Sequence, residues 1–237
     1  MADDAHLSLV GLLEGVQNFT TEIFPRNQAM FIDLASGQSP HTLFITCADS
    51  RVSPGMITQN KPGNLFVLRN IGNIVPAYGE MLGGVSAAIE YAVTALGVEN
   101  IIVCGHSDCG AMKAMLDPVG HGLDTMPTVS SWLRSAEAAL AVTRALKPGE
   151  NEQDVLTTLV EQNVLLQLAH LRTHPAVAAR LAEDRLTLQG WFYEIRHGKI
   201  WVLDEQARRA ISVQAALNQL RPALAKDEVP ELLDPGS

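Results

Sequence analysis

The chain has 237 residues, 47% of them hydrophobic, so it is long and apolar enough to bury a substantial core in one large domain. Its formal net charge is −9 and lysine and arginine do not cluster, which argues against nucleic acid or an anionic membrane as a partner. No segment has the roughly 18 consecutive apolar residues that a membrane-spanning helix needs.

The start of the chain and its cysteines indicate the compartment. "MADDAHLSL" is acidic and lacks the features of a secretion or organelle-import signal. The three cysteines do not have the spacing of a disulfide framework, so we expect reduced thiols. Together these features predict a cytoplasmic protein.

The first forty residues have a helical pattern. "LSLVGLLEGVQNF" carries apolar residues at helical spacing, and Pro25 is expected to break or restart the helix before "RNQAMFIDLA". We predict a single domain over residues 1–237, with an N-terminal helical arm at about 1–37 and a loose C-terminal tail at about 222–237.

Three short apolar runs have the length of β-strands, at residues 42–47, 64–70 and 100–106. Their apolar residues are nearly continuous, which is the pattern of a strand covered on both faces. Residues 83–98, between the last two runs, are helical in pattern and end at Gly97. This alternation of strand, helix and strand predicts a parallel sheet with right-handed crossovers.

The second half of the chain adds helices and two more strands. The pattern is helical from 128 to about 183, and "LTLQGWFYEI" and "KIWVLD" then read as strands joined through His197 and Gly198. The predicted fold class is therefore α/β, with a central, mostly parallel β-sheet flanked by helices and helical additions at both ends.

Two short motifs stand at strand ends. "TCADSR" (46–51) closes the first strand, and "CGHSDCG" (104–110) closes the third. In open parallel sheets, ligands bind beyond the carboxyl ends of the strands. We therefore expect Cys47 and His106 to lie at one edge of the sheet.

The residue types in these motifs suit a metal ion. Extended backbone directs Cys47 and Asp49 to the same side, and the spacing of His106 and Cys109 across a strand-to-helix turn lets both reach one ion. A helix N-terminus at Cys109 favours its thiolate. Two thiolates and an imidazole suit zinc. The fourth position is then open to water or to Asp49.

An arginine two residues after Asp49 favours water in that position. Arg51 can hold the carboxylate in a bidentate pair and so keep it off the metal. The fixed carboxylate then accepts a hydrogen bond from the water and orients it. The predicted chemistry is attack of a zinc-bound hydroxide on a small electrophile.

Two other interpretations stay open at this point. "GHSDCG" is close to the G-x-S-x-G elbow of serine hydrolases, with Ser107 as the nucleophile, although Cys109 replaces the second glycine and crowds the turn. A purely structural zinc site is the other alternative. Such sites usually close with four cysteine or histidine ligands, whereas the fourth candidate here is a carboxylate beside an arginine. Cys104, inside the third strand, is interpreted as a core residue.

"CADSRV" together with "GHSDCG" resembles the zinc signature of the β-class carbonic anhydrases. The resemblance runs from about Gln38 to Met115 and continues more weakly into the last two predicted strands. It implies the β-carbonic anhydrase fold and Zn²⁺ as cofactor, with Cys47, His106 and Cys109 as ligands. The implied activity is the reversible hydration of carbon dioxide to bicarbonate and a proton.

The resemblance also implies the residues around the metal. Asp49 and Arg51 are the implied catalytic pair, with Asp49 as the fourth zinc ligand in a closed state. The plant-like branch of the family has substrate-pocket positions that match Gln38, Phe66 and Tyr91 in this chain, and we expect Ile71 and Gly110 to add to the pocket.

One position separates this chain from another branch of the family. Members with a bicarbonate-inhibited form carry a tryptophan three residues before the first cysteine, where this chain has Phe44. The difference favours the plant-like, unregulated branch.

The family further implies partners and one rival activity. Its members form dimers, often paired into tetramers, with pockets across the subunit interface, so we expect a homodimer or homotetramer besides the small-molecule substrate. Relatives with the same ligands hydrolyse carbonyl sulfide or carbon disulfide, and the ligand set does not distinguish these substrates from carbon dioxide.

Overall fold

A computed structural model of the chain describes residues 2–146, 151–205 and 209–224. The chain divides into two compact units, Met1–Ser39 and Pro40–Ser237. Of the predicted tail, residues 222–224 belong to the last helix and residues 225–237 lie outside the described part of the chain. Within the described part, every helix is too short or too polar to cross a membrane.

The first unit is helical, as predicted. Its elements are α1 (Ala2–Asn18), a π-helical turn (Phe19–Ile23), α2 (Phe24–Arg26) and α3 (Gln28–Ala35). Pro25 lies inside α2, and the chain leaves helical geometry only at Asn27, with φ −117° and ψ 18°. The widened π turn precedes the proline, which has no N–H for the regular helical ladder.

The second unit contains a six-stranded sheet. Its strands are β1 (Thr42–Cys47), β2 (Leu65–Asn70), β3 (Asn100–His106), β4 (Thr187–Glu194), β5 (Lys199–Asp204) and β6 (Arg209–Ser212). The order is β2-β1-β3-β4-β5-β6, parallel from β2 to β4 and antiparallel for the last two strands. The predicted α/β class with a mostly parallel sheet is confirmed.

The burial of the strands follows their place in the sheet. Every residue of β1 is buried, as the continuous apolar run predicted. The same prediction is wrong for β2, in which Val67 and Arg69 are exposed. The reason is position, because β2 is the edge strand and has β1 as its one neighbour in the sheet.

Helices connect and cover the strands. They are α4 (Pro54–Thr58), α5 (Gly84–Glu90), α6 (Gly110–Leu116), α7 (Pro127–Leu133), α8 (Glu137–Leu146), α9 (Glu152–Leu171), α10 (Pro175–Ala182) and α11 (Val213–Leu224). The helical segment predicted at 83–98 is α5 followed by a π-helical turn (Tyr91–Ala95), and Gly97 ends it at φ 67°. Strand β6 was not predicted, whereas α11 is a helical addition at the C-terminal end, as the sequence led us to expect.

Helix α9 packs directly on the sheet at two glycines. A Cβ atom at Gly105 of β3 would lie 2.7 Å from Val160 and 2.8 Å from Val164. A Cβ atom at Gly190 of β4 would lie 2.8 Å from Val164. The close approach of helix and strands therefore requires glycine at these positions.

Polar side chains on α9 bind the segment that follows β2. Asn163 Nδ2 donates to the carbonyl of Gly72 at 3.0 Å, and Gln167 Oε1 accepts from the N–H of Val75 at 2.8 Å. Both side chains are fully buried, and Gln167 also donates to Asn163. The irregular backbone that follows β2 thus forms its hydrogen bonds with buried side chains rather than with water.

Candidate metal centre

Three side chains from the two motifs meet at the carboxyl edge of the sheet. Cys47 ends β1, His106 ends the neighbouring parallel strand β3, and Cys109 immediately precedes α6. Their ligand atoms all lie within 4.8 Å of one another, and all three residues are buried. Tetrahedral zinc, with bonds of about 2.0–2.3 Å, holds its ligands about 3.3–3.8 Å apart, so small movements close this group around an ion.

The hydrogen bonding of His106 leaves one ring nitrogen for a ligand. Nδ1 lies 2.9 Å from the carbonyl of Ser107 and donates its proton there. Nε2 is buried and has no hydrogen-bond partner among the residues that the structure describes. A buried acceptor left unpaired costs free energy, which a metal ion bound at Nε2 would recover. The fixed tautomer therefore fits a metal ligand.

The two cysteines of the group shift each other's pKa. The contact with Cys109 is the main cause that lowers the pKa of Cys47 to about 4, and the backbone N–H of Gly72 adds to it. The same contact, together with burial, raises the pKa of Cys109. A thiolate and a thiol in contact, beside an imidazole, form a donor set that suits zinc.

Asp49 and Arg51 form the pair that the sequence predicted. Arg51 Nε donates to Asp49 Oδ1 at 2.9 Å and Nη2 to Oδ2 at 2.8 Å, while the backbone N–H of Arg51 also donates to Oδ1 at 2.9 Å. These bonds hold the pKa of the Asp49 carboxyl well below its usual range. Asp49 Oδ2 lies 3.7 Å from His106 Nε2, so the carboxylate stands next to the ligand group.

Sequence reasoning missed two charged residues of this network. Arg51 Nη1 donates to Asp108 Oδ2 at 2.9 Å, and Nη2 donates to the carbonyl of Asp108 at 3.2 Å. The other carboxylate oxygen of Asp108 pairs with Lys113 on α6. Lys113, and after it Arg51, lowers the pKa of Asp108. Its place between two predicted ligands was a signal that could have identified Asp108.

Arg69 on β2 is a further residue that the sequence reading did not use. Its Nε donates to the carbonyl of Cys47 at 3.2 Å, and Nη2 donates to the carbonyls of Asp49 and Val52 at 2.6 and 2.8 Å. The guanidinium thus fixes the backbone of the first motif after β1 ends. An arginine in an otherwise apolar strand was the available signal.

The predicted pocket residues lie in different parts of the fold. The rings of Phe66 and Tyr91 contact each other, with centroids 6.1 Å apart, and Tyr91 is half exposed. Ile71 is also exposed, and its carbonyl accepts a bond of 2.8 Å from Trp132. Gly110 is the exposed first residue of α6. Gln38 belongs to the first unit of the chain, apart from the unit that holds the two motifs.

Ser107 has a structural role in this arrangement. Its hydroxyl accepts the N–H of Ile195 at 3.0 Å, and its own N–H donates to the carbonyl of Tyr193 at 2.8 Å. Both bonds attach the turn after β3 to the end of β4. The imidazole next to it is turned toward Cys47 and Cys109, so the hydroxyl does not have the activating base that a serine nucleophile requires.

The fold and the donor set define an α/β protein with a buried Cys-His-Cys group that can hold a metal ion, and comparison with known proteins identifies its family. The carbonic anhydrase family model matches residues 42–200. A carbonic anhydrase of Pseudomonas aeruginosa is 50% identical over 202 residues, which cover 85% of this chain and 90% of that relative. Carbonic anhydrase 1 of Escherichia coli O157:H7 is 47% identical over 204 residues, covering 86% and 92%.

Solved structures agree with the sequence relatives. The β-carbonic anhydrase CcaA superposes with a TM-score of 0.83 at 40% identity, covering 86% of this chain and 99% of that one. A tetrameric β-carbonic anhydrase of Sordaria macrospora has a TM-score of 0.72 at 29% identity, covering 83% and 96%. The chain belongs to the β-carbonic anhydrase family, and it is an enzyme of that class.

Proposed function

We propose that the protein catalyses the reversible, zinc-dependent hydration of carbon dioxide to bicarbonate and a proton. Cys47, His106 and Cys109 are the proposed zinc ligands. The observation that carries the proposal is the buried, unpartnered Nε2 of His106, since Nδ1 is already bonded and the imidazole has a ring nitrogen within 4.8 Å of both sulfurs. When bound, zinc supplies a Lewis acid that makes water reactive near neutral pH.

Asp49 and Arg51 are the proposed catalytic pair. The low pKa of Asp49 keeps its carboxylate ionised, so it can only accept a hydrogen bond and thereby orients a reacting water. Arg51 holds both carboxylate oxygens and so keeps Asp49 from becoming a fourth ligand. In a closed state without this restraint, Asp49 is the proposed fourth zinc ligand.

The proposed substrate pocket contains aromatic and aliphatic side chains. Phe66 and Tyr91 form an apolar contact suited to a small, linear, apolar substrate, and a Cβ atom at Gly110 would meet no atom within 4 Å, which leaves room next to Cys109. Ile71 is the further proposed pocket residue of the second unit, and the proposal for Gln38 rests on the family resemblance alone. The assignment to the plant-like branch rests on Phe44, whose ring is fully buried against Trp191.

We also propose a cytoplasmic homodimer or homotetramer with pockets at the subunit interface. The tetrameric relative supports the assembly. Further support comes from exposed large apolar side chains on α1, at Leu7, Leu9, Val10, Leu12, Leu13 and Val16. The three free cysteines support a reducing compartment.

Removal of single ligands tests the proposed function. The wild type should carry about one zinc per chain, and Cys47→Ala or Cys109→Ala should lose both metal and carbon dioxide hydration because two remaining ligands bind weakly. Cys104→Ala is the matched control, since this cysteine is equally buried in β3 but outside the ligand group, and it should keep metal and activity. Full zinc retention in the ligand variants would contradict the assignment.

The choice of substrate needs a direct comparison. One purified sample should be assayed for carbon dioxide hydration and for sulfide release from carbonyl sulfide and carbon disulfide. We expect hydration to dominate. Efficient sulfide release with negligible hydration would assign the same metal centre to the rival activity.

A further inference from the structure

Asp108 occupies a special place among the charged residues around the metal centre. It lies in the turn between His106 and Cys109, and its backbone has φ +59°, a left-handed conformation that aspartate tolerates better than most residues. Because this turn connects two members of the ligand group, the position of Asp108 is set by the same turn that sets the ligands.

The bonds of Arg51 fall into two sets with different effects. The fork to Asp49 fixes the two side chains relative to each other, but a fork alone lets the pair move together. Two further bonds, from Nη1 to Asp108 Oδ2 and from Nη2 to the Asp108 carbonyl, join Arg51 to the ligand turn. These bonds connect segments 57 residues apart in the chain.

Arg51 needs such an anchor because its side chain is exposed. The Arg51 side chain is 43% exposed, and long exposed side chains in simple ion pairs keep much of their rotational freedom. Asp49 Oδ2 is only 3.7 Å from His106 Nε2, so a modest rotation carries the carboxylate onto the metal position. Lys113 holds the second oxygen of Asp108 from α6 and thereby fixes the anchor itself.

We propose that Asp108 is a positioning residue that anchors Arg51 to the ligand turn and so keeps Asp49 off the metal. This role rests on the proposed function, because it concerns the orientation of the proposed catalytic pair. Asp108 acts through Arg51 and touches neither substrate nor metal. Loss of its carboxylate removes the bond from Nη1 and leaves only the weaker bond from Nη2 to the Asp108 carbonyl, so the Arg51–Asp49 pair is loosened and Asp49 moves onto the metal as a fourth protein ligand.

Two substitutions separate the carboxylate from the backbone conformation. Asp108→Gly removes the acceptor without strain, since glycine adopts positive φ freely. Asp108→Asn keeps one acceptor oxygen and tolerates the same backbone. Asp117→Asn is the matched control at the end of α6, where the carboxylate bonds Gly120 and is not joined to Arg51.

The main readout is the metal itself, measured on the folded holoenzyme. Asp108→Gly should release zinc to a chelator more slowly than wild type, because a fourth protein ligand must then dissociate as well; the size expected is on the order of tenfold, the lower end of the range over which partners of metal ligands alter metal affinity. The cobalt-substituted variant should show an altered visible absorption spectrum as a carboxylate joins the metal. Its kcat/KM for carbon dioxide should fall roughly 10- to 100-fold, mainly through kcat, as expected for a misplaced catalytic group. Asp108→Asn should be intermediate, and Asp117→Asn should match wild type.

A double-variant cycle with Arg51→Ala completes the test. If Asp108 acts through Arg51, then Asp108→Gly should cause no further change in the Arg51→Ala background. Unchanged zinc release and cobalt spectrum in Asp108→Gly would overturn the proposal, as would losses that multiply in the double variant. If Asp108→Gly does not fold, the same readouts on Asp108→Asn decide. An inactive wild type would overturn the proposed function alone, because zinc release and the cobalt spectrum do not depend on turnover.

Discussion

The ion pair between Asp49 and Arg51 differs from an ordinary surface pair in its geometry. Exposed pairs contribute about 0–1 kcal/mol to stability because water and side-chain freedom compete with them. Here both carboxylate oxygens are held by one guanidinium, and a backbone N–H holds one of them a second time. The Asp49 side chain is only 16% exposed. The pair is therefore built to fix an orientation rather than to add stability.

Removing the guanidinium should disable the enzyme without removing its metal. In Arg51→Ala, Asp49 loses its competing partner and should bind zinc, so kcat/KM should fall by about 10²-fold or more, as for loss of a positioned polar group. Arg51→Lys should restore little, since a single ammonium cannot bond both oxygens of Asp49 and also Asp108. Zinc content and the kinetics of carbon dioxide hydration measure both expectations.

The chain offers a matched control for this substitution. Arg172 also makes a two-bond pair, with Glu205, and its side chain has the same 43% exposure. Arg172→Ala should leave kcat/KM unchanged. Equal losses of activity in the two alanine variants would mean that Arg51 acts through general stability.

At the scale of elements, the contact of α9 with the sheet depends on glycine. Gly190→Ala should lower the free energy of unfolding by about 1–3 kcal/mol, because the new methyl group must displace Val164 and Leu168 in a packed core. Gly15→Ala on α1 is the control. No atom lies within 4 Å of its added Cβ, so it should be neutral or stabilise by up to about 1 kcal/mol. Denaturant unfolding measures both, and a neutral Gly190→Ala would contradict the packing account.

The junction of α9 and α10 should make stability depend on pH. His174 is buried, its Nε2 lies 3.0 Å from the carbonyl of Pro76, and its ring contacts Tyr78. Burial lowers the pKa of His174, and the nearby His170 lowers it further. A histidine side chain in the unfolded chain has a pKa of about 6.5, so below that pH the unfolded chain binds more protons than the folded chain. The contribution of His174 to the free energy of unfolding is therefore constant above about pH 7. It becomes unfavourable to the folded state as the pH falls from about 6.5 toward the lower pKa that His174 has in the folded state.

A comparison of variants isolates this effect. Between pH 7 and 5 the free energy of unfolding should fall less steeply in His174→Gln than in wild type, by at most about 1.4 kcal/mol per pH unit for one proton. His6→Gln removes an exposed histidine of α1 and should keep the wild-type slope. Identical slopes in all three proteins would show that His174 is not the titrating group.

The elements that sequence could predict are those set by local pattern. The strands that end at Cys47 and His106 are read from continuous apolar runs, and this placement already put both motifs at one edge of the sheet. The exposed face of β2 could not be predicted, since it depends on strand order. Strand β6 is only four residues long and is defined by its pairing with β5.

The candidate site also contains residues that the local sequence pattern could predict and contacts that it could not. The three members of the ligand group stand in short motifs, so their types and spacing were visible. The bonds from Arg69 to the first motif, and from Arg51 to Asp108, join residues far apart in the chain. Such partners become visible only when the fold brings them together, because nothing in the local pattern of either segment specifies the other.

At the scale of the whole molecule, the chemistry occupies a small part of the second unit. The sheet, α9 and the bonded segment after β2 hold the strand ends in place. The exposed apolar side chains of α1 belong to the other unit and point to contacts with a further copy of the chain. We therefore expect sedimentation at the mass of a dimer or tetramer, and Leu12→Asp should shift the population toward smaller species. A monomeric wild type would contradict the proposed assembly.

We propose that carbon dioxide is hydrated at the Cys47, His106 and Cys109 group with zinc bound. Stopped-flow carbon dioxide hydration by the wild-type protein should be measured at a series of known zinc contents, from metal-free to fully loaded. We expect a rate that rises in proportion to zinc content, reaches its maximum at about one zinc per chain, and is negligible without metal. A rate that does not change with zinc content, or that stays at the uncatalysed level at full loading, would contradict it.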